Sequence, residues 1–212
     1  MIAAQSIDAA VSALRAGQTV ILPTDTVYGL CVDPYHEAPI RRLLRQKKRP
    51  KEIPVALVAS DLEVILDAVP ELRGRAAVMA RAILPGPYTL VLPNPARRYR
   101  WLTGTRPDTI GVRIPDLPAE AKTALDGFGA VAMTSANVHG GPDPARVDDI
   151  PEEMLRAAAV VVDAGVLPDG RTEQGIPSPL GCGARSGIRA GSASSRAPRR
   201  GGCGTPCPAR PS

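Results

Sequence analysis

The chain has 212 residues, 44% of them hydrophobic, which is enough for one domain with a sizeable buried core. No apolar run approaches the roughly 20 residues that cross a bilayer, and no basic n-region leads into an apolar h-region, so a cytoplasmic protein without a membrane partner is expected. The net charge of +5 and pI near 9.3 are only weak evidence for nucleic-acid binding once they are located: residues 179–212 hold six arginines and no acid, which turns +5 into −1 for the rest.

In chain order, "SIDAAVSALRAG" places Ile7, Ala10, Val11 and Leu14 on one helical face, with Ser6 as N-cap and Gly17 as stop. The strand "TVILP" follows. "HEAPIRRLLRQKKR" predicts a helix that buries Ile40, Leu43 and Leu44 and turns a row of cations outward. "PVALVA" reads as a buried strand, "DLEVILDAV" as a short helix and "LRGRAAVMARAIL" as a longer one. Alternation of Tyr88, Leu90 and Leu92 in "LPGPYTLVLP" predicts a strand. Further strands fall at "TIGVRIP", "GAVAMT" and "AVVVDAG", with helical patterns at "LPAEAKTAL" and "IPEEMLRAA" between them. This alternation is that of an α/β domain, with residues 1–178 as its extent.

The remaining segment, 179–212, is built almost wholly from Gly, Ala, Pro, Ser, Arg, Cys and Thr, with Leu180 and Ile188 as its large apolar residues. Such a composition cannot offset the entropy of ordering and predicts disorder. Cys182, Cys203 and Cys207 lie in it at spacings that fit no zinc or disulfide framework. Residue types drawn from G- and C-rich codons suggest an out-of-frame reading beginning near Ser178; sequencing the gene through that codon tests this.

Neither a G-x-x-x-x-G-K-[ST] loop nor a G-x-G-x-x-G fingerprint occurs, and His36, His139 and Cys31 form no zinc pattern. A Ser135, His139, Asp163 hydrolase lacks any nucleophile elbow around its serine. Three stretches carry more. "PTDTVYGL" sets Thr24, Asp25, Thr26 and Tyr28 just after a strand, where hydroxyls and a carboxylate serve either a turn or a ligand. "RRLLRQKKRPK" has seven basic residues in eleven positions, either a solvated helix face or a source of cations for phosphate oxygens where the helix ends at Arg49-Pro50. "TSANVHGGP" follows a strand with hydroxyls, an amide and glycines that let backbone approach a ligand. Arg113, inside the apolar strand "TIGVRIP", requires an anionic partner, structural or substrate-borne.

Taken in order, "PTDTVYGL", "KKRP", "LPGPYTLVLP", "TIGVRIP" and "TSAN" resemble the YrdC family of threonylcarbamoyl-AMP synthases over roughly residues 6–178. The resemblance implies a single twisted, open α/β domain with a concave substrate cleft. It implies an enzyme that makes L-threonylcarbamoyladenylate and pyrophosphate from L-threonine, bicarbonate and ATP, with Mg accompanying the ATP, and that supplies a downstream tRNA threonylcarbamoyl transferase machinery. By position, Thr26, Arg113 and Ser135 match the family's L-threonine contacts, while Lys47, Arg49, Thr109 and Asn137 match its ATP contacts; no catalytic side chain and no resident metal site is implied. The chain departs from the family at Ile53, often a polar ATP contact, at Val58, often histidine, and at Ala145, commonly Ser or Thr. It also lacks the strand and the "LRxG"-like segment that usually follow "PS", for which Arg189 in "GIRAG" is at best a displaced echo. The alternatives are a module binding RNA weakly through the run from Arg41 to Lys51, and a non-catalytic nucleotide-binding paralogue.

Overall fold

A computed structural model of the chain describes residues 4–167. The domain limit expected near Ser178, the 179–212 tail and Arg189 lie outside these residues.

Seven strands form one sheet in the order β4-β5-β3-β6-β2-β1-β7: β1 (Val20–Pro23), β2 (Tyr28–Val32), β3 (Ala56–Val58), β4 (Leu90–Pro93), β5 (Thr109–Arg113), β6 (Val131–Ser135) and β7 (Val160–Val161). Pairing is antiparallel except for β1 with β7 and β3 with β5. Among the described residues six helices accompany it: α1 (Ala4–Arg15), α2 (Glu37–Gln46), α3 (Leu62–Ala68), α4 (Arg75–Ile83), α5 (Ala119–Phe128) and α6 (Glu152–Ala157).

The period of two along each strand sorts the core into two layers. Ile21, Leu30, Val32, Leu57, Ile110, Val112 and Ala132 face Ile40, Leu43 and Leu44 of α2, Ile65 and Leu66 of α3, and Ala77 and Ala80 of α4. Val20, Leu22, Cys31, Val58, Val131 and Met133 face Ala10, Ala13 and Leu14 of α1 and Ala121, Ala124 and Leu125 of α5. Helix α1 packs on β7, β1 and α5. On that same face toward β3, Ala56 is only half-buried although its strand lies in the middle of the sheet, so solvent reaches the sheet there.

The expected elements are present with three corrections. The chain turns only from Thr24 to Val27, and Tyr28–Val32 is a fully buried strand antiparallel to β1, not part of a polar corner. Helix α1 already includes Ala4, so Ser6 lies inside it and is not its cap. Tyr88 is exposed and β4 starts at Leu90, because Pro85 and Pro87 remove the donors a longer strand would need. The C-terminal ends of α1 and α2 share one device. At Gly17 (φ +68°) the amides of Gly17 and Gln18 return to Leu14 and Ala13, and at Lys48 (φ +52°) those of Lys48 and Arg49 return to Arg45 and Leu44. The second closure puts a lysine in the left-handed region and ends α2 at Gln46, before the cations Lys47–Arg49 that the sequence had placed on the helix.

Candidate functional site

The β1–β2 turn is closed by Thr24, whose Oγ1 accepts from the amides of Thr26 (3.3 Å) and Val27 (3.2 Å) and donates to the Val27 carbonyl (2.7 Å). With Thr24 thus committed and buried, Asp25 and Thr26 project from the turn. Arg113, at the C-terminal end of β5, reaches both: its Nη2 donates to Asp25 Oδ1 at 2.9 Å and lies 3.4 Å from Thr26 Oγ1. The anionic partner that the sequence demanded for Arg113 therefore includes Asp25, and the pair keeps 13% and 16% of its side-chain surface exposed.

A second cluster forms where α2 ends. Lys47 is 1% exposed, and its Nζ donates to the Ser135 carbonyl (2.5 Å) and Asn137 Oδ1 (2.8 Å), with Ser135 Oγ at 3.4 Å. Ser135 Oγ in turn donates to Asn137 Oδ1 at 2.8 Å, and Asn137 Nδ2 donates to the Gly141 carbonyl and to Asp143 Oδ1. Burial, reinforced by nearby Arg49 and opposed by Asp143, pulls the Lys47 ammonium down to about 8. Its backbone carbonyl also accepts from the His139 amide. Lys47 is thus the internal peg of the 135–139 loop, turned inward where the sequence had set it among outward cations.

Arg49, two residues on, donates from Nη2 to the Pro54 carbonyl at 2.7 Å, while its buried Nε has no partner among the described residues. Burial lowers its pKa, as expected of a guanidinium short of anionic neighbours. Gly104 makes that arrangement possible. At φ +59°, a Cβ on it would stand 2.1 Å from the Glu52 carbonyl oxygen, so only glycine lets this loop press against the segment that presents Pro54.

Thr109 shares a strand face with Arg113 from the opposite end of β5, roughly 13 Å away at the rise of a strand, and its Oγ1 bonds the Arg106 carbonyl. Between them Gly111 on β5 and its neighbour Ala56 on β3 are small, and beyond Ala56 the same face carries Met133 of β6, which covers Gly29 of β2. The structure therefore joins Thr26 to Arg113, joins Lys47 to Ser135 and Asn137, and leaves Arg49 and Thr109 out of direct contact with either group. Asp25 and Asp143 were missed as members of the site. Asp25 was visible within "PTDT" as a carboxylate beside two hydroxyls; Asp143 carried no local signal.

A groove of about 640 Å³ runs along α2, lined by Arg41, Arg45, Lys48, Arg49, Lys51 and Arg100 together with Trp101. Two acids, Glu37 and Glu52, share its walls. Among the described residues no helix is long and apolar enough to cross a membrane.

The Sua5/YciO/YrdC sequence model, described as "Telomere recombination", matches residues 12–180. The threonylcarbamoyl-AMP synthase of Stenotrophomonas maltophilia is 38% identical over 163 residues, covering 74% of this chain and 86% of that one. The enzyme of the same name from Vibrio vulnificus is 34% identical over 175 residues, covering 77% and 93%. Among solved structures, P. abyssi Sua5 complexed with L-threonine superposes with a TM-score of 0.67 at 30% identity over 76% of this chain; the chain spans 47% of that longer protein.

Proposed function

The chain belongs to the Sua5/YciO/YrdC family, and from that premise we propose that it is an L-threonylcarbamoyladenylate synthase, a nucleotidyltransferase acting on L-threonine, bicarbonate and ATP. The observation that carries the reading is the Arg113–Asp25–Thr26 group at the edge of an open sheet face. A guanidinium at 13% exposure, beside a hydroxyl, suits the carboxylate of a small amino acid. Thr26 and Ser135 provide hydroxyls for the same substrate. On the nucleotide side, Arg49 supplies a cation whose buried Nε has no partner among the described residues, Asn137 and Thr109 supply polar contacts, and Lys47, the remaining cation matched to ATP, acts from its buried position by holding Ser135 and Asn137.

The chemistry asks little else of the protein. The threonine ammonium loses a proton, and the free amine condenses with bicarbonate to give a carbamate and water; a carbamate oxygen then attacks the α-phosphorus of ATP, and the bond to the β,γ-pyrophosphate breaks, releasing pyrophosphate. Holding the two substrates in line and stabilising phosphoryl charge are the protein's contributions. Among the described residues no group of three His, Cys, Asp or Glu side chains could hold a metal ion. Magnesium would come on the phosphate oxygens of ATP and neutralise their charge. The product would pass to a tRNA threonylcarbamoyl transferase in the cytoplasm. Calorimetric titration of the full chain tests the binding part: L-threonine and ATP should each bind saturably, and failure of threonine to bind a folded protein refutes the assignment.

The groove along α2 favours a second, compatible reading, weak binding of RNA phosphates by Arg41, Arg45, Lys48, Lys51 and Arg100. Trp101 is the chain's single tryptophan and lines the groove, so its fluorescence reports occupancy directly. RNA should change that emission with a steep salt dependence; a signal indifferent to RNA removes this reading and leaves the first intact.

A further inference from the structure

Asp25 has no role in the assignment above beyond its contact with Arg113. We propose that Asp25 binds the α-ammonium group of the amino-acid substrate, so that Asp25 and Arg113 recognise the zwitterion as a pair. The inference rests on the threonine reading.

Three observations support it. Arg113 and Thr26 both address Oδ1 of Asp25, at 2.9 and 3.4 Å, whereas Oδ2 takes part in none of the described hydrogen bonds. The carboxylate is neither buried nor on an open surface, at 16% side-chain exposure, and it stands on a turn that Thr24 locks by three hydrogen bonds. Finally, the charges match: an α-amino acid carries its ammonium and carboxylate on one carbon, and Asp25 with Arg113 presents the complementary charges side by side. An arginine alone would accept any small carboxylate. An adjacent carboxylate repels those that lack an amine and adds a charge-assisted hydrogen bond to those that have one, which converts attraction into selection.

The test compares L-threonine with 3-hydroxybutanoate, the same skeleton without the amine, by titration into the wild-type chain and into Asp25→Asn and Asp25→Glu. Wild type should prefer threonine by about 10- to 100-fold, the worth of one charge-assisted contact. In Asp25→Asn the preference should fall to within about threefold, mostly because threonine binds less tightly. Asp25→Glu should restore part of it. ATP affinity, measured on the same samples, should stay within twofold in all three. Loss of affinity for both carboxylates by the same factor in Asp25→Asn would mean that Asp25 merely orients Arg113, and would overturn the proposal. So would an unchanged preference. Wild type that binds ATP but neither carboxylate would overturn the threonine reading itself, and the role of Asp25 with it.

Discussion

Replacing Lys47 with methionine removes a buried cation while keeping a long apolar stem of similar reach. The variant loses donors at 2.5 Å to the Ser135 carbonyl and 2.8 Å to Asn137 Oδ1; the second acceptor keeps Ser135 Oγ at 2.8 Å, and the first loses its buried lysine partner. A buried acceptor that loses its partner costs about 1–3 kcal/mol, and for a domain of this size each kcal/mol moves Tm by roughly 2–4 °C. Above about pH 9, where the cost of burying the charge is relieved, a fall in Tm of about 3–10 °C is therefore expected, with ATP affinity (through Asn137) and threonine affinity (through Ser135) each reduced about tenfold because both residues lose their common peg. Titration adds an independent check. The folded protein holds Lys47 near 8, below the ordinary 10.5, so the native state sheds this proton before the unfolded chain does. The cost of burying the charge is fully present below pH 8 and is relieved as pH rises from 8 toward 10.5, a contribution of the order of 3 kcal/mol across that window. Chemical denaturation at pH 7.5, 8.5 and 9.5 should show this rising component in wild type and its loss in Lys47→Met. Equal Tm, equal ATP affinity and parallel pH profiles in the two proteins would refute the peg.

Arg113→Ala should weaken L-threonine at least tenfold while leaving ATP within about threefold, and Arg49→Ala should do the reverse; calorimetry with each ligand checks both, and equal losses would dissolve the division of labour. Gly104→Ala sets a Cβ where the Glu52 carbonyl oxygen lies 2.1 Å away at φ +59°, so it should destabilise by about 2 kcal/mol or more and lower ATP affinity through the displaced Pro54–Arg49 contact. Wild-type melting and ATP binding in that variant would show the loop to be more compliant than the geometry implies. Lys48→Gly relieves a left-handed lysine at the C-terminus of α2 and should raise stability by up to about 1 kcal/mol, read as the midpoint of a urea transition.

What the sequence disclosed tracks the physics that is local. The apolar period of α2, the turn chemistry of Thr24 and the out-of-place Arg113 in β5 each announced themselves, because one face, one hydroxyl and one charge are properties of a few adjacent residues. Strand β2 was missed for the opposite reason. Its "YGLCV" offers a tyrosine and a glycine next to a polar turn, and it is a strand because β1 and β6 hydrogen-bond it from both sides. Tyr28 looked like part of a ligand corner, yet its hydroxyl is spent on Asp163 and Gly165 inside the domain. The inward turn of Lys47 was equally hidden: a left-handed residue at position 48 reverses the chain, and the acceptors that hold the ammonium come from 88 and 90 residues away. Motif order pointed to the stretches that meet at the sheet edge, while burial separates Lys47, tied to Ser135 and Asn137, from the more exposed cations around it.

The most direct test of the central claim is turnover by the full 212-residue chain with ATP, magnesium, L-threonine and ¹³C-bicarbonate, with the adenylate detected by mass spectrometry. Threonylcarbamoyl-AMP carrying the ¹³C label, formed together with pyrophosphate and only when threonine and bicarbonate are both present, is the expected result. A folded chain that binds ATP and threonine yet yields no labelled adenylate would contradict it and mark the protein as a non-catalytic member of its family.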